Sequence, residues 1–220
     1  HRANLPFRSA SAAGENWALL PSAAAFVDPL LSTGFPLTLL GIARLAEAIE
    51  TSWGRESFAR QLEAYADETL SEADSAALLV SALYTSFRDF PLFAAISKLY
   101  FAAASFTEAA RRLSRRDAPR SFLCADHPVF GPAFEESCRA ALAASARGGP
   151  RSAEREELLR RIDRAIEPLD VAGLRDAARR NWHPVRAEDL VAGAHKLGAT
   201  REQIENFLNC SGFFAPTSSG

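Results

Sequence analysis

Between Ala18 and Ala46 the chain reads ALLPSAAAFVDPLLSTGFPLTLLGIARLA, and the order of residues there constrains the backbone more than any other stretch. The apolar run Trp17–Leu20 predicts a short buried strand. One strand makes no sheet, so its partners are expected outside this chain or in its first ten residues. Small residues at 22–25 predict a loop. A Ser/Thr/Gly/Pro turn then opens an apolar helix that is expected to reach Glu50. Pro36 falls in its first turn, where a missing N–H costs nothing. Leu37, Leu40, Leu45 and Ile49 form its apolar stripe, and Gly41 leaves room for a close neighbour. The start of such a helix presents N–H groups without partners, which attract anions and electron-rich atoms. The simpler use of Ser32 or Thr33 is ordinary capping.

Helices dominate the rest. Phe58, Leu62, Tyr65 and Thr69 follow helical spacing. Ser71–Asp74 predicts a cap that starts a second helix carrying Leu79, Leu83, Tyr84 and Phe87. Phe93, Ile96, Leu99, Tyr100 and Phe106 belong to a long helix ending near Leu113. Residues 114–132 read as an extended loop, followed by a helix over 133–146. Gly148-Gly149-Pro150 is the clearest linker. Beyond it come a charged helix over 152–167, a short helix over Leu169–Arg180, and a final pair, Glu188–Leu197 and Arg201–Asn209. Gly198 stops the first of that pair, and Thr200 with Gln203 caps the second. The expected class is mainly α: a short N-terminal β segment, then a multi-helix body.

Composition excludes several functions. With 48% hydrophobic residues the 220-residue chain is not disordered. A net charge of −2 gives no electrostatic reason to bind nucleic acid or an anionic membrane. The proline-broken apolar stretch around Pro21, Pro29 and Pro36 is too short to span a bilayer. Cys124, Cys138 and Cys210 are odd in number and lack C-x-x-C spacing, which argues against a disulfide framework or a metal site. A reducing cytoplasm is the expected compartment. The chain contains no methionine and shows no secretory signal pattern, so a piece of a longer protein is expected.

The segment Ala23-Ala24-Ala25-Phe26-Val27-Asp28-Pro29-Leu30, continuing into Leu31-Ser32-Thr33-Gly34, resembles the flavin-contacting stretch of FAD-dependent monooxygenases and flavin-dependent halogenases. The resemblance implies a C-terminal part of an FAD-dependent oxidoreductase. Residues 1–50 would be the end of an FAD-binding domain, and 51–220 a helical substrate-side domain. Ser22, Ala23, Asp28, Pro29, Ser32, Thr33, Gly34 and Phe35 would contact the cofactor, with Thr33 and Gly34 also beside a halide. The implied partners are a small organic substrate, the N-terminal dinucleotide-binding part of the same protein, and a flavin reductase. Two positions depart from the family pattern. Pro21-Ser22 replaces its Gly-Asp pair, so Ser22 offers the ribityl chain a hydroxyl without charge. Leu31 stands where halogenases carry an acid. Neither the G-x-G-x-x-G fingerprint nor the halogenases' W-x-W-x-I-P motif occurs in this chain.

Other constellations read as structural. Residues 187–210 have helix–turn–helix spacing, but Glu202, Gln203 and Glu205 accompany Arg201, a poor face for phosphates. A DNA-binding regulator and a helical interaction module are the alternatives to the enzyme. Arg111, Arg112, Arg115, Arg116 and Arg120 read as a solvated helix end. Arg160, Arg161 and Arg164 among glutamates read as a salt-bridged surface. His127 beside Asp126, and His183 after Trp182, are loop histidines with structural roles. The aromatic density from Phe87 to Phe106 suits a pocket wall or a core. No residue pattern identifies a catalytic group.

Overall fold

The computed structural model describes residues 6–115, 119–179 and 185–211. Two small antiparallel ladders replace the expected strand. Phe7–Arg8 (β1) pairs with Ala25–Phe26 (β4), and Ala13–Gly14 (β2) pairs with Trp17–Ala18 (β3). The strand predicted over Trp17–Leu20 is therefore shorter, and its partner lies at 13–14. The first ten residues instead serve β4. Pro21–Ala24 form a helical turn (α1) where a loop was predicted, because Pro21 has the fixed φ of a first helical position and small alanines follow it.

The helix predicted to end at Glu50 is Gly34–Ser52 (α2). A Cβ at Gly41 would lie 2.3 Å from Pro21 Cγ, so the absent side chain lets α1 sit directly on α2. Ser57–Thr85 (α3) is one continuous helix, which corrects the break predicted at Ser71–Asp74. No Gly or Pro interrupts it. Asp74 binds Arg8 of β1 at 2.7 Å instead of capping, and Glu72 and Ala73 face inward.

Phe90–Arg112 (α4) starts with the Asp89 carboxylate accepting from the Leu92 amide. Among the described residues α4 is the one helix long and apolar enough to cross a membrane, unlike the proline-broken N-terminal stretch. In the bundle it buries Leu92, Ile96, Leu99, Ala102, Ala103 and Phe106. Phe130–Ala146 (α5) and Ser152–Ile166 (α6) pack against each other. Gly148 (φ 92°) and Gly149 (φ 106°) make the tight reversal between them, so this stretch is a turn within the bundle. No helix covers the described part of Leu169–Arg180. One 3-10 turn, Glu167–Leu169, ends α6, and the Asp170 carboxylate then captures the Leu174 and Arg175 amides in turns. Arg180 lies outside the described residues.

The last pair is Ala187–Ala192 (α7), a 3-10 turn at Ala194–Leu197, and Arg201–Ser211 (α8). Gly198 ends the 3-10 turn in the left-handed conformation at φ 60°. The Thr200 amide donates to Gln203 and the Gln203 amide to Thr200 Oγ1, which is the predicted capping box. Ile204 and Leu208 of α8 enter the main core. Cys124 and Cys138 are buried, and burial pushes both thiols up to about 12.

One ion pair ties the halves of the chain together. The buried Glu72 carboxylate accepts from Arg44 Nη1 (2.8 Å), Arg44 Nη2 (2.9 Å) and the Phe122 amide (2.9 Å). Arg44 also donates to the Arg120 carbonyl at 2.7 Å. The pair thus locks α2, α3 and the segment before α5. Glu72→Ala leaves Arg44 with Glu68 alone (3.1 Å) and strands the Phe122 amide, and should cost about 1–3 kcal/mol, read from urea unfolding followed by circular dichroism.

Candidate functional site

The bend that opens α2 is built from both sequence neighbours and distant tyrosines. Asp28 Oδ1 accepts from the Leu30 amide (2.8 Å) and from the Tyr84 hydroxyl of α3 (2.9 Å). The chain then passes through a 3-10 turn, Leu30–Ser32, with Leu31 at φ 60° and Ser32 at φ 52°. Left-handed backbone costs a residue with a side chain about 1–2 kcal/mol. The Tyr100 hydroxyl of α4 donates to the Leu31 carbonyl (2.9 Å), and the Ser32 amide donates to the Pro29 carbonyl (2.9 Å). Both phenols keep their protons. Burial raises the pKa of Tyr100, and the hydrogen bond to Asp28 is the main cause that raises that of Tyr84.

Thr33 is the N-cap residue of α2 and is buried, but its side chain makes no capping bond. Ordinary side-chain capping therefore does not account for it. The ladder begins with Leu37 donating to the Thr33 carbonyl. The Gly34 and Phe35 amides precede that bond, so the helix offers them no acceptor.

A cavity of about 420 Å³ lies against this bend, within the size range of small-molecule sites. Of the residues singled out in the sequence, Ser22, Asp28, Pro29, Ser32, Thr33, Gly34 and Phe35 line it. Ala23 is exposed on the outer side of α1 and does not. Pro21 and Ala25 complete that wall, and Leu37, Thr38, Thr69 and Ala73 close the cavity from α2 and α3. A Cβ built on Gly34 meets nothing within 4 Å, so open space lies over that residue. Thr69 is 3% exposed, and its hydroxyl lies against that of Tyr65. An open glycine and the free amides of a helix start on one apolar cavity fit a planar ligand carrying polar edge atoms.

Sequence reasoning did not find Tyr84, Tyr100 or Thr69 as parts of the site. Each sits on an ordinary helical face, and no local pattern separates it from a core residue. A second cavity, about 350 Å³, lies beyond Phe35 and is lined by Leu39, Tyr100, Arg111 and Phe122 among others. The aromatic density therefore divides. Tyr100 lines this space, Phe106 is core, and Phe87 and Phe90 are exposed.

The remaining candidates are structural. Arg111 and Arg112 both bind Glu108, and Arg120 binds Glu68 at 3.4 Å. Arg116 and His183 lie outside the described residues. Arg160 and Arg164 share Glu157, and Arg161 reaches Glu136. His127 Nδ1 accepts from the Val129 (3.2 Å) and Phe130 (3.0 Å) amides and so caps α5.

By sequence the chain matches no family model and no curated protein. By structure it superposes on part of a larger solved enzyme. Its match to the crystal structure of halogenase PltM has a TM-score of 0.65 and 23% identity, and covers 80% of this chain. PltM in complex with phloroglucinol and FAD gives a TM-score of 0.63, again at 23% identity. The chain spans 39% of the length of that enzyme. What the two share is the fold of this mainly helical part.

The capping role of His127 carries a pH signature. Burial lowers its pKa, against a smaller opposing effect of Asp126. An imidazole depressed in the folded state binds a proton more readily when unfolded. Its contribution to stability is intact above about pH 6.5 and is lost as pH falls from there through the folded value. Urea midpoints measured from pH 8 to 5 should therefore drop more steeply for the natural chain than for His127→Ala.

Proposed function

We propose that this chain is the C-terminal part of an FAD-dependent oxidoreductase, of monooxygenase or halogenase type, and that the bend at 31–34 borders the flavin. The observation that carries this reading is the cavity. The segment that resembles a flavin-contacting stretch lines it, with open space over Gly34. The bound flavin supplies the electron chemistry. The chain supplies the seat. Ser22 bonds the ribityl chain, and Pro29 to Phe35 run along the ring edge. The Thr33 and Gly34 amides face its electron-rich side, an interaction worth about 0.5–2 kcal/mol at a helix start. The same amides suit a halide. The Leu31 side chain packs against the core and its carbonyl is held by Tyr100, so a proton acceptor for the organic substrate comes from another residue. The aromatic cavity beyond Phe35 is the seat for that small organic substrate.

Residues 1–50 complete an FAD-binding domain in this reading, and 51–220 form the substrate side. The partner in this reading is the dinucleotide-binding part of the same enzyme, and the outer face of α2 is the surface we assign to it. Phe35 (77% exposed), Leu39 (62%), Ile42 (44%) and Ile49 (42%) recur at intervals of four, three and seven residues along its outer face, and Trp53 (70%) follows just past its end. An apolar stripe of this length calls for a cover, and the chain spans only 39% of the enzyme it superposes on. Leu39→Glu combined with Ile42→Glu should leave the helical circular dichroism of the chain unchanged. It should abolish co-purification with the dinucleotide-binding half supplied as a separate polypeptide.

FAD itself should bind this chain weakly and support no turnover, because no pyrophosphate loop is present in the sequence. FMN at millimolar concentration is the direct probe. In ¹⁵N spectra it should shift the Ser32, Thr33, Gly34 and Phe35 amides. Gly34→Val, which puts a branched side chain into that open space, should weaken the shift at least about 10-fold, roughly 1.4 kcal/mol, with the melting temperature unchanged. FMN shifts confined to other surfaces would refute the assignment.

A further inference from the structure

Phe35 stands between two cavities. The one at the bend (about 420 Å³) and the one beyond it (about 350 Å³) have separate walls, and among the described residues Phe35 is the one that lines both. On the bend side Gly34 leaves open space beside it. On the other side Leu39, Leu40, Tyr100 and Phe122 supply aliphatic and aromatic surface. The backbone of Phe35 is fixed, because it is the second residue of α2. Its side chain is 77% exposed, so no packed shell holds the ring in one rotamer, and exposed side chains exchange rotamers fast. A phenyl in that position adds little to the core. It offers apolar surface to whatever occupies either cavity.

We propose that Phe35 is a positioning residue shared by two ligands: a flavin in the first cavity and a flat organic ring in the second press on the same side chain, and each raises the affinity of the other. The proposal rests on the flavin reading given above, with the substrate seat it assigns, and adds a coupling between the two seats. The physical cause is twofold. Each ligand covers ring surface that water otherwise contacts. One rotamer serves both ligands, so the first to bind fixes the ring and the second does not bear that entropy again. The arrangement selects for a substrate with a flat apolar face, because such a face meets a phenyl ring in stacked or edge-on contact and a strongly hydrated group does not. Phe35 carries no titratable proton and acts through affinity and placement alone.

The experiment uses the 220-residue chain, in which the stripe on α2 is uncovered, and its Phe35→Ala and Phe35→Tyr variants. FMN is titrated with and without millimolar benzyl alcohol, the probe of the second cavity, and both are followed by ¹⁵N spectra. In the natural chain benzyl alcohol should shift the Leu40 and Ala104 amides and tighten FMN binding about 3- to 10-fold, the range that fixing one side chain once instead of twice allows. FMN should tighten benzyl alcohol binding by the same factor, because linkage is reciprocal. Phe35→Ala should melt within about 2 °C of the natural chain, since an exposed side chain is removed. It should bind each probe alone about 2- to 5-fold more weakly and show no coupling. Phe35→Tyr, which restores a ring, should restore the coupling. FMN affinity that ignores benzyl alcohol, or competition between the two, overturns the proposal and leaves the flavin reading intact. Benzyl alcohol shifts confined to other surfaces, or coupling that survives Phe35→Ala, do the same. A natural chain that does not bind FMN at the α2 bend overturns both.

Discussion

A carboxylate taken out of water must have all of its hydrogen-bonding capacity met, and Glu72 imposes that requirement on three distant parts of the chain. Arg44 from α2 and the Phe122 amide from the segment before α5 converge on it, and Arg44 reaches on to the Arg120 carbonyl. The pair sits on the inner face of α3, in the turns between Thr69 and Ala73, and so fixes how α2 crosses that helix. Gly41 lets Pro21 approach closely enough to add α1 to the same crossing. The start of α2 is thereby suspended over Thr69 and Ala73 with the bend beside it. The cavity is the gap this crossing leaves.

Several locally unfavourable features meet at that gap. Leu31 and Ser32 are held in left-handed backbone, Gly34 faces open space, and the Thr33 side chain is buried without capping the helix it precedes. The cost of the bend is offset by the Asp28 turn and by two tyrosines reaching in from α3 and α4. Residues that break local rules in one place, on scaffolding that holds them there, are the pattern expected of a binding site. The polar atoms are few and the walls are mostly apolar, which suits a flat ring with polar edges better than a sugar or a nucleic acid.

Much of the helical body was legible in the residues, and the errors have a common cause. Helices α2, α4, α5, α6 and α8 were visible because apolar periodicity, Pro36, the Gly148–Gly149 stop and the Thr200–Gln203 box all act within a few residues. The false break at Ser71–Asp74 arose because serine and aspartate are also good surface residues of a long helix, and Asp74 is spoken for by Arg8 far away in sequence. Leu169–Arg180 had helical spacing but no cap, and Asp170 draws its first amides into turns. The strand at Trp17 found its partner through a hairpin too short to show any alternation.

The sequence by itself determined the mainly α class, the helix that opens at Gly34, and the segment Ser22–Phe35 as the place to look, because each depends on backbone chemistry expressed over a few neighbouring residues. That this segment borders a cavity, that Tyr84 and Tyr100 hold its bend, that Ala23 faces away and that Thr69 and Ala73 of α3 close the far wall were settled only by packing. Those facts depend on how α2 crosses α3. That crossing is set by a buried charge pair and a glycine contact whose partners lie tens of residues apart, and no local pattern in the chain encodes such a distance.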